Sequence, residues 1–115
     1  MSADDAVSYY IGKAGRARLN CGQSVIKAFR DKFGLDENAV DLFRSYGSGK
    51  APDGLCGAVY AAKFIFDGLR TDVLKRCEDA MIENAGSTKC KEIRSLRRLS
   101  CQGCIKTVAD IIEKA

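Results

Sequence analysis

Six cysteines stand in a chain of 115 residues: Cys21, Cys56, Cys77, Cys90, Cys101 and Cys104. As thiolates, such side chains attack disulfides, bind metal ions and ligate iron–sulfur clusters. Histidine is absent. That removes Ser-His-Asp and Cys-His catalysis, His-ligated zinc and the commonest general base together. Any chemistry must come from Cys, Asp, Glu, Lys or Tyr. The carboxylates fall at ordinary helix-surface spacings, and no pair stands out as a general acid and base.

The surroundings of the cysteines are informative. Asn20 precedes Cys21, and Pro52-Asp53-Gly54 lies just ahead of Cys56. Ser87 stands three residues before Cys90, and Ser100 immediately before Cys101, with Cys104 one turn later. These are signals for helix starts, so five of the thiols are expected in first turns. There the backbone offers free N–H groups and the positive end of the helix dipole, both of which favour a thiolate. The same N–H groups suit the sulfurs of an anionic iron–sulfur cluster. Cys77 differs: it falls mid-helix beside Leu74 and Met81, where a thiol acts as a small apolar filler.

Cys21 to Cys56 is 35 residues, Cys56 to Cys90 is 34, and Cys90 to Cys101 is 11. The long gaps match no compact zinc or ferredoxin run. They suit a bundle in which several helix starts converge at one end, gathering Cys21, Cys56, Cys90 and Cys104. Cys101-Gln102-Gly103-Cys104 is a Cys-x-x-Cys at a helix start, a geometry that allows a reversible disulfide. The βαβ context of thioredoxin is missing. Cys101 is therefore a possible redox partner that competes for Cys104.

Seven helical segments would position these thiols. Ala6 to Lys13 reads as a short amphipathic helix around Val7, Tyr10 and Ile11, broken near Gly12 to Gly15. Asn20 and Gln23 form a capping box for a helix running to about Phe33, with Gly34 as its stop. Asp36 caps a third helix ending near Tyr46. The glycine-rich stretch Gly47 to Gly54 is the clear loop. It lacks the first glycine and the Ser/Thr of a nucleotide-binding loop, because Arg44 and Ala51 stand in those places.

A fourth helix begins near Cys56 and is apolar nearly all round, which suits the centre of a bundle. Thr71 caps a fifth, ended by Gly86. Ser87 caps a short sixth, and Ser100 the last, with Ile105, Val108, Ala109 and Ile112 on its buried stripe. No alternating strand pattern is visible. The expected fold is all-α, a compact bundle of five to seven helices with functional cysteines at helix N-termini, forming one domain over residues 1–115.

The bulk properties fit. The chain is 46% hydrophobic with a net charge of +4. Its basic residues are dispersed apart from Arg94, Arg97 and Arg98, which read as a solvated face rather than a nucleic-acid surface. No apolar run is long enough to span a membrane. The acidic, polar start is unlike a signal peptide, so a cytoplasmic location is expected.

These pieces resemble a family of redox-active proteins defined by four cysteines and a Cys-Gly-Ala-x-x-Gly motif, the C…CGAxxG…C…C pattern. Asn20-Cys21-Gly22-Gln23-Ser24-Val25 resembles its first cysteine segment. The loop from Tyr46 to Gly54 leads into Cys56-Gly57-Ala58-Val59-Tyr60-Ala61. Gly86 to Cys90 followed by Glu92-Ile93 looks like the third segment, and Cys104 with Val108, Ala109 and Ile112 like the last. The likeness covers about Ala6 to Lys114 in order. Ala61 replaces the closing glycine, and Cys77 and Cys101 are extra.

The resemblance implies redox function at Cys21, Cys56, Cys90 and Cys104, a redox protein partner, and Gly57 and Ala58 as cofactor-binding positions. Related domains occur beside haem domains in split-Soret cytochromes. Three readings stay open. The four thiols exchange disulfides or transfer electrons; the same four ligate an iron–sulfur cluster or zinc; or the domain is a non-catalytic helical interaction module.

Overall fold

The computed structural model describes residues 2–12, 19–46, 50–66 and 70–114. Seven α-helices follow in order: α1 Ser2–Ile11, α2 Cys21–Phe29, α3 Glu37–Leu42, α4 Gly57–Ile65, α5 Thr71–Ala85, α6 Cys90–Leu96 and α7 Cys101–Glu113. Short 3₁₀ turns lie at Phe43–Tyr46 and Pro52–Gly54. Among the described residues there is no strand, only an isolated antiparallel bridge between Leu55 and Lys89. The all-α bundle expected from the residue spacing is the one found. Its radius of gyration is 12.5 Å, close to the ~13 Å of a packed chain this long.

The helix starts follow local chemistry. Asn20 accepts the Gln23 backbone N–H at 2.8 Å, and Gln23 Oε1 accepts the Asn20 backbone N–H at 3.2 Å, so the capping box before α2 is complete. Asp36 caps α3 through the Ala39 N–H. Ser100 Oγ caps α7 through the Gly103 N–H at 3.0 Å.

Several boundaries differ from the sequence reading. α2 ends at Phe29 rather than Phe33, because the Arg30 N–H turns to Lys27 O and tightens the ladder. A turn then carries the chain to Gly34, whose φ of +65° reverses it. α3 gives way to the 3₁₀ turn at Phe43, whose side chain is fully buried. Arg70, not Thr71, is the N-cap of α5, with a φ of +39°. Lys89, not Ser87, is the N-cap of α6. Ser87 shapes the approach, accepting the Lys89 N–H at 3.0 Å and donating to Glu92 Oε1 at 2.9 Å. α1 starts at Ser2, earlier than expected. The expected bends at residues 13–15, the loop glycines Gly47 and Gly49, and Gly68 lie outside the described residues.

The core is built around α4, which packs against α2, α5 and α7. Ala58, Val59, Ala61 and Ala62 are all fully buried, as an all-round apolar helix requires. Small side chains let the neighbouring helices approach closely. Phe43 closes one side, with its ring 5.5 Å from Tyr60 and 5.3 Å from Phe64. No described helix is long and apolar enough to cross a membrane.

Candidate functional site

Three hydrogen-bonding devices fix the starts of α2, α4 and α6. The Leu19 N–H donates to Tyr9 O at 3.0 Å, tying the approach to α2 onto α1. Asn20 Nδ2 donates to Phe43 O at 2.8 Å and Arg44 O at 3.2 Å. The Cys56 N–H donates to Thr88 O at 2.8 Å, beside the Leu55–Lys89 bridge. The segment before α4 is thereby paired with the segment before α6, and Cys56 is set near Cys90.

Two glycines then allow contact. A Cβ on Gly57 would stand 2.5 Å from Cys21 Sγ and 2.9 Å from Gly22 N. One on Gly22 would stand 2.7 Å from Phe43 Cδ2 and 3.2 Å from Gly57 O. Neither position has room for a side chain. The two Cys-Gly pairs, Cys21-Gly22 and Cys56-Gly57, are the sequence signature of this crossing.

Cys21, Cys56, Cys90, Cys101 and Cys104 line one cavity of about 340 Å³, together with Tyr10, Leu19, Asn20, Ile93 and Arg94. The four thiols singled out from the sequence are thus brought to one place, and so is Cys101. Cys77 is fully buried in the core and does not line the cavity. All six are free thiols. Cys56 and Cys104 are buried, whereas Cys21, Cys90 and Cys101 are half-buried.

Inside the cavity Cys21, Cys56 and Cys104 act on one another's protons. The Cys56 S–H donates to Cys104, and this holds the Cys104 thiol below its usual range. Donation to Cys104, with burial added, pushes Cys56 up to about 12. Cys21 is pushed higher still, first because it donates to Cys56 and then by burial. The N–H groups of Gly57 and Gly22 pull Cys21 down, and that of Ala58 pulls Cys56 down, without prevailing. Gly57 and Ala58 therefore act here as amide donors to sulfur. The expectation that helix starts would favour thiolates is corrected at Cys21, Cys56 and Cys90, where desolvation and the need to share protons outweigh the N–H groups, whereas Cys104 is lowered.

The outer part of the cavity has a different character. Burial raises Cys90, and the nearby Arg94 guanidinium opposes that rise. Arg94 lies one turn after Cys90 and lines the same cavity as Cys90 and Cys101. Arg94 is exposed, as its reading as part of a solvated basic face implied, and it also lines the thiol cavity. The Cys90-to-Arg94 spacing of one helical turn was the available signal. Arg98, by contrast, donates to Glu83 O at 2.7 Å, away from the thiols. As the side chains stand, no three Cys, Asp or Glu groups among the described residues are arranged to hold a metal ion.

A helical bundle that collects five thiols at the joined starts of its helices defines a cysteine-cluster protein. The chain belongs to the family described as Putative redox-active protein (C_GCAxxG_C_C), which matches residues 19–115. Where that description writes Gly-Cys-Ala, the segment in this chain reads Cys56-Gly57-Ala58-Val59-Tyr60-Ala61, with alanine in its last place. Ala61 is fully buried, and its small side chain preserves a close helix approach. No curated protein and no solved structure matches the chain.

Proposed function

We propose that this protein is a thiol–disulfide carrier whose working bridge forms between Cys56 and Cys104, with Cys21 and Cys90 completing the active set. The observation that carries the reading is the gathering of Cys21, Cys56 and Cys104 in one cavity, where Cys56 lowers the Cys104 thiol. Disulfide formation needs one sulfur as thiolate and another within reach. Cys104 is the sulfur lowered by its neighbour, and Cys56 is that neighbour. Exchange of Cys21 into the bridge would form Cys21–Cys56 and release Cys104 as a thiol, and full reopening takes two electrons from a dithiol of the redox partner. A redox protein partner in the cytoplasm belongs to the same reading.

Thiol counting tests it. Reduced, metal-free protein is exposed to a mild disulfide oxidant, its free thiols are counted, and its bridges are mapped by mass spectrometry. The expected result is reversible loss of two thiols with Cys56 in the bridge. Six inert thiols in the folded protein would overturn the reading.

A second reading is favoured by the same cavity. Cys21, Cys56, Cys90 and Cys104 supply the four thiolates that an iron–sulfur cluster or a structural zinc ion takes. The N–H groups of Gly22, Gly57 and Ala58 favour the ionised forms of Cys21 and Cys56, and the side chains would turn toward one another to hold the group, since no three of them are so arranged as they stand. Such a cluster would supply one-electron transfer. Anaerobic purification followed by a visible spectrum and iron and zinc analysis separates the readings. Stoichiometric metal would favour the second, and a colourless, metal-free protein the first.

A further inference from the structure

The cavity has an inner and an outer half, and the outer half is equipped to choose what reacts. Cys101 is half-buried, and exposed Arg94 lines the same cavity. Three residues further along α7, one helical turn away, lies buried Cys104, which lines that cavity with Cys56. Residues three apart on a helix share a face. A path of sulfurs therefore runs from the rim through Cys101 and Cys104 to Cys56. Among the described residues lining the cavity, Arg94 is the one that carries a full charge. The volume of about 340 Å³ is at the lower end for small-molecule sites, roughly 300 Å³ and upward.

Building on the thiol–disulfide reading, we infer that Cys101 is the thiol that first meets substrate, and that Arg94 selects small disulfides carrying a carboxylate. Cys101 as thiolate attacks one sulfur of R–S–S–R. A Cys101–S–S–R bond forms and the first RS⁻ leaves. Cys104 then attacks the Cys101 sulfur, forming the Cys101–Cys104 bridge and releasing the second RS⁻. The two protons of the protein dithiol end on the two released thiols. The substrate disulfide is reduced by two electrons and the protein dithiol is oxidised by two. Attack of Cys56 on Cys104 moves the bridge inward and returns Cys101 to its free state.

Three aliphatic disulfides of similar size serve as probes: dithiodipropionate, hydroxyethyl disulfide and cystamine, which are anionic, neutral and cationic. Reduced full-length protein should react in that order. A unit charge near Arg94 at a wet rim makes the anionic probe about tenfold faster than the cationic one, less so in high salt. Arg94→Met should flatten the order, and Arg94→Lys should restore part of it. Lys91→Met removes an equal charge from an exposed position on the same helix and should keep the order. In Cys104→Ser the mixed disulfide should accumulate on Cys101. If that variant does not fold, Cys101→Ala, at the half-buried rim, should lose the charge-ordered reaction instead.

An internal bridge that forms without charge order, or an adduct on Cys21 or Cys90, would overturn this inference while leaving the carrier reading in place. No internal bridge with any probe would overturn both.

Discussion

Cys56 and Cys77 are both buried thiols, one lining the cavity and one in the core between α5 and its neighbours. Both have raised pKa values, about 12 and about 11. The causes differ. Cys77 is raised first by burial, with the Arg76 charge opposing and Glu78 adding to it. Cys56 is raised first by its hydrogen bond to Cys104, with burial added. Burial alone makes a thiol inert. A neighbouring thiol makes the same burial part of a proton-sharing pair. What marks a working cysteine in this fold is the company of other sulfurs, not depth.

The sharpest way to break that comparison is substitution at each site. Cys56→Ser should abolish the Cys56–Cys104 bridge mapped by mass spectrometry, whereas Cys77→Ala should retain it, at a cost of about 1–2 kcal/mol in stability. Bridge maps after mild oxidation, with denaturation midpoints alongside, check both. Equal loss of the bridge in the two variants would erase the distinction.

The next effect concerns how the cavity is assembled. Gly57→Val places atoms against Cys21 Sγ and the Gly22 backbone, neither of which is a flexible side-chain tip. It should destabilise the protein by about 3 kcal/mol, the upper range for overpacking, read as a lowered urea midpoint. Asn20→Ala should cost about 1–2 kcal/mol, since it removes the cap of α2 together with the anchors on Phe43 O and Arg44 O. It should also slow bridge formation by loosening Cys21.

The smallest effect is a pH dependence that separates the two thiols by cause. Cys77 carries its proton more firmly when folded than its ordinary value of 9.0, at about 11. That contribution to stability is full below about pH 9 and is lost as pH rises through about 11. Cys77→Ala should therefore flatten the loss of stability between those values, as followed by denaturant titrations. At the other site, Cys56→Ala removes the donor to Cys104. The Cys104 thiol should then ionise at higher pH, a shift visible in the ultraviolet absorbance of the thiolate.

Much of this arrangement was legible from residue types. Asn20 with Gln23, Asp36 and Ser100 announce helix starts through short-range hydrogen bonds, and all three act as caps. The apolar stripe of α7 and the all-round apolar α4 follow from periodicity. The ends of helices were harder. Phe29 rather than Phe33 closes α2, and Lys89 rather than Ser87 precedes α6, because competing carbonyls and side chains decide where a ladder breaks. Arg94 is exposed, as a solvated face requires, but its place among exposed arginines hid that it also lines the thiol cavity.

Local chemistry, then, determined that helices begin at or beside five cysteines, since a cap and a first turn depend only on residues a few positions apart. It could not determine which starts meet, how deep each sulfur lies, or which one keeps its proton. The glycine crossing of Gly22 and Gly57, the Cys56-to-Thr88 hydrogen bond and the placement of Arg94 join residues far apart in the chain. Burial and proton sharing between those residues are properties of the packed whole. That is why most of the resolved sulfurs are harder to ionise than their helix starts alone suggest, and why Cys104 is the exception.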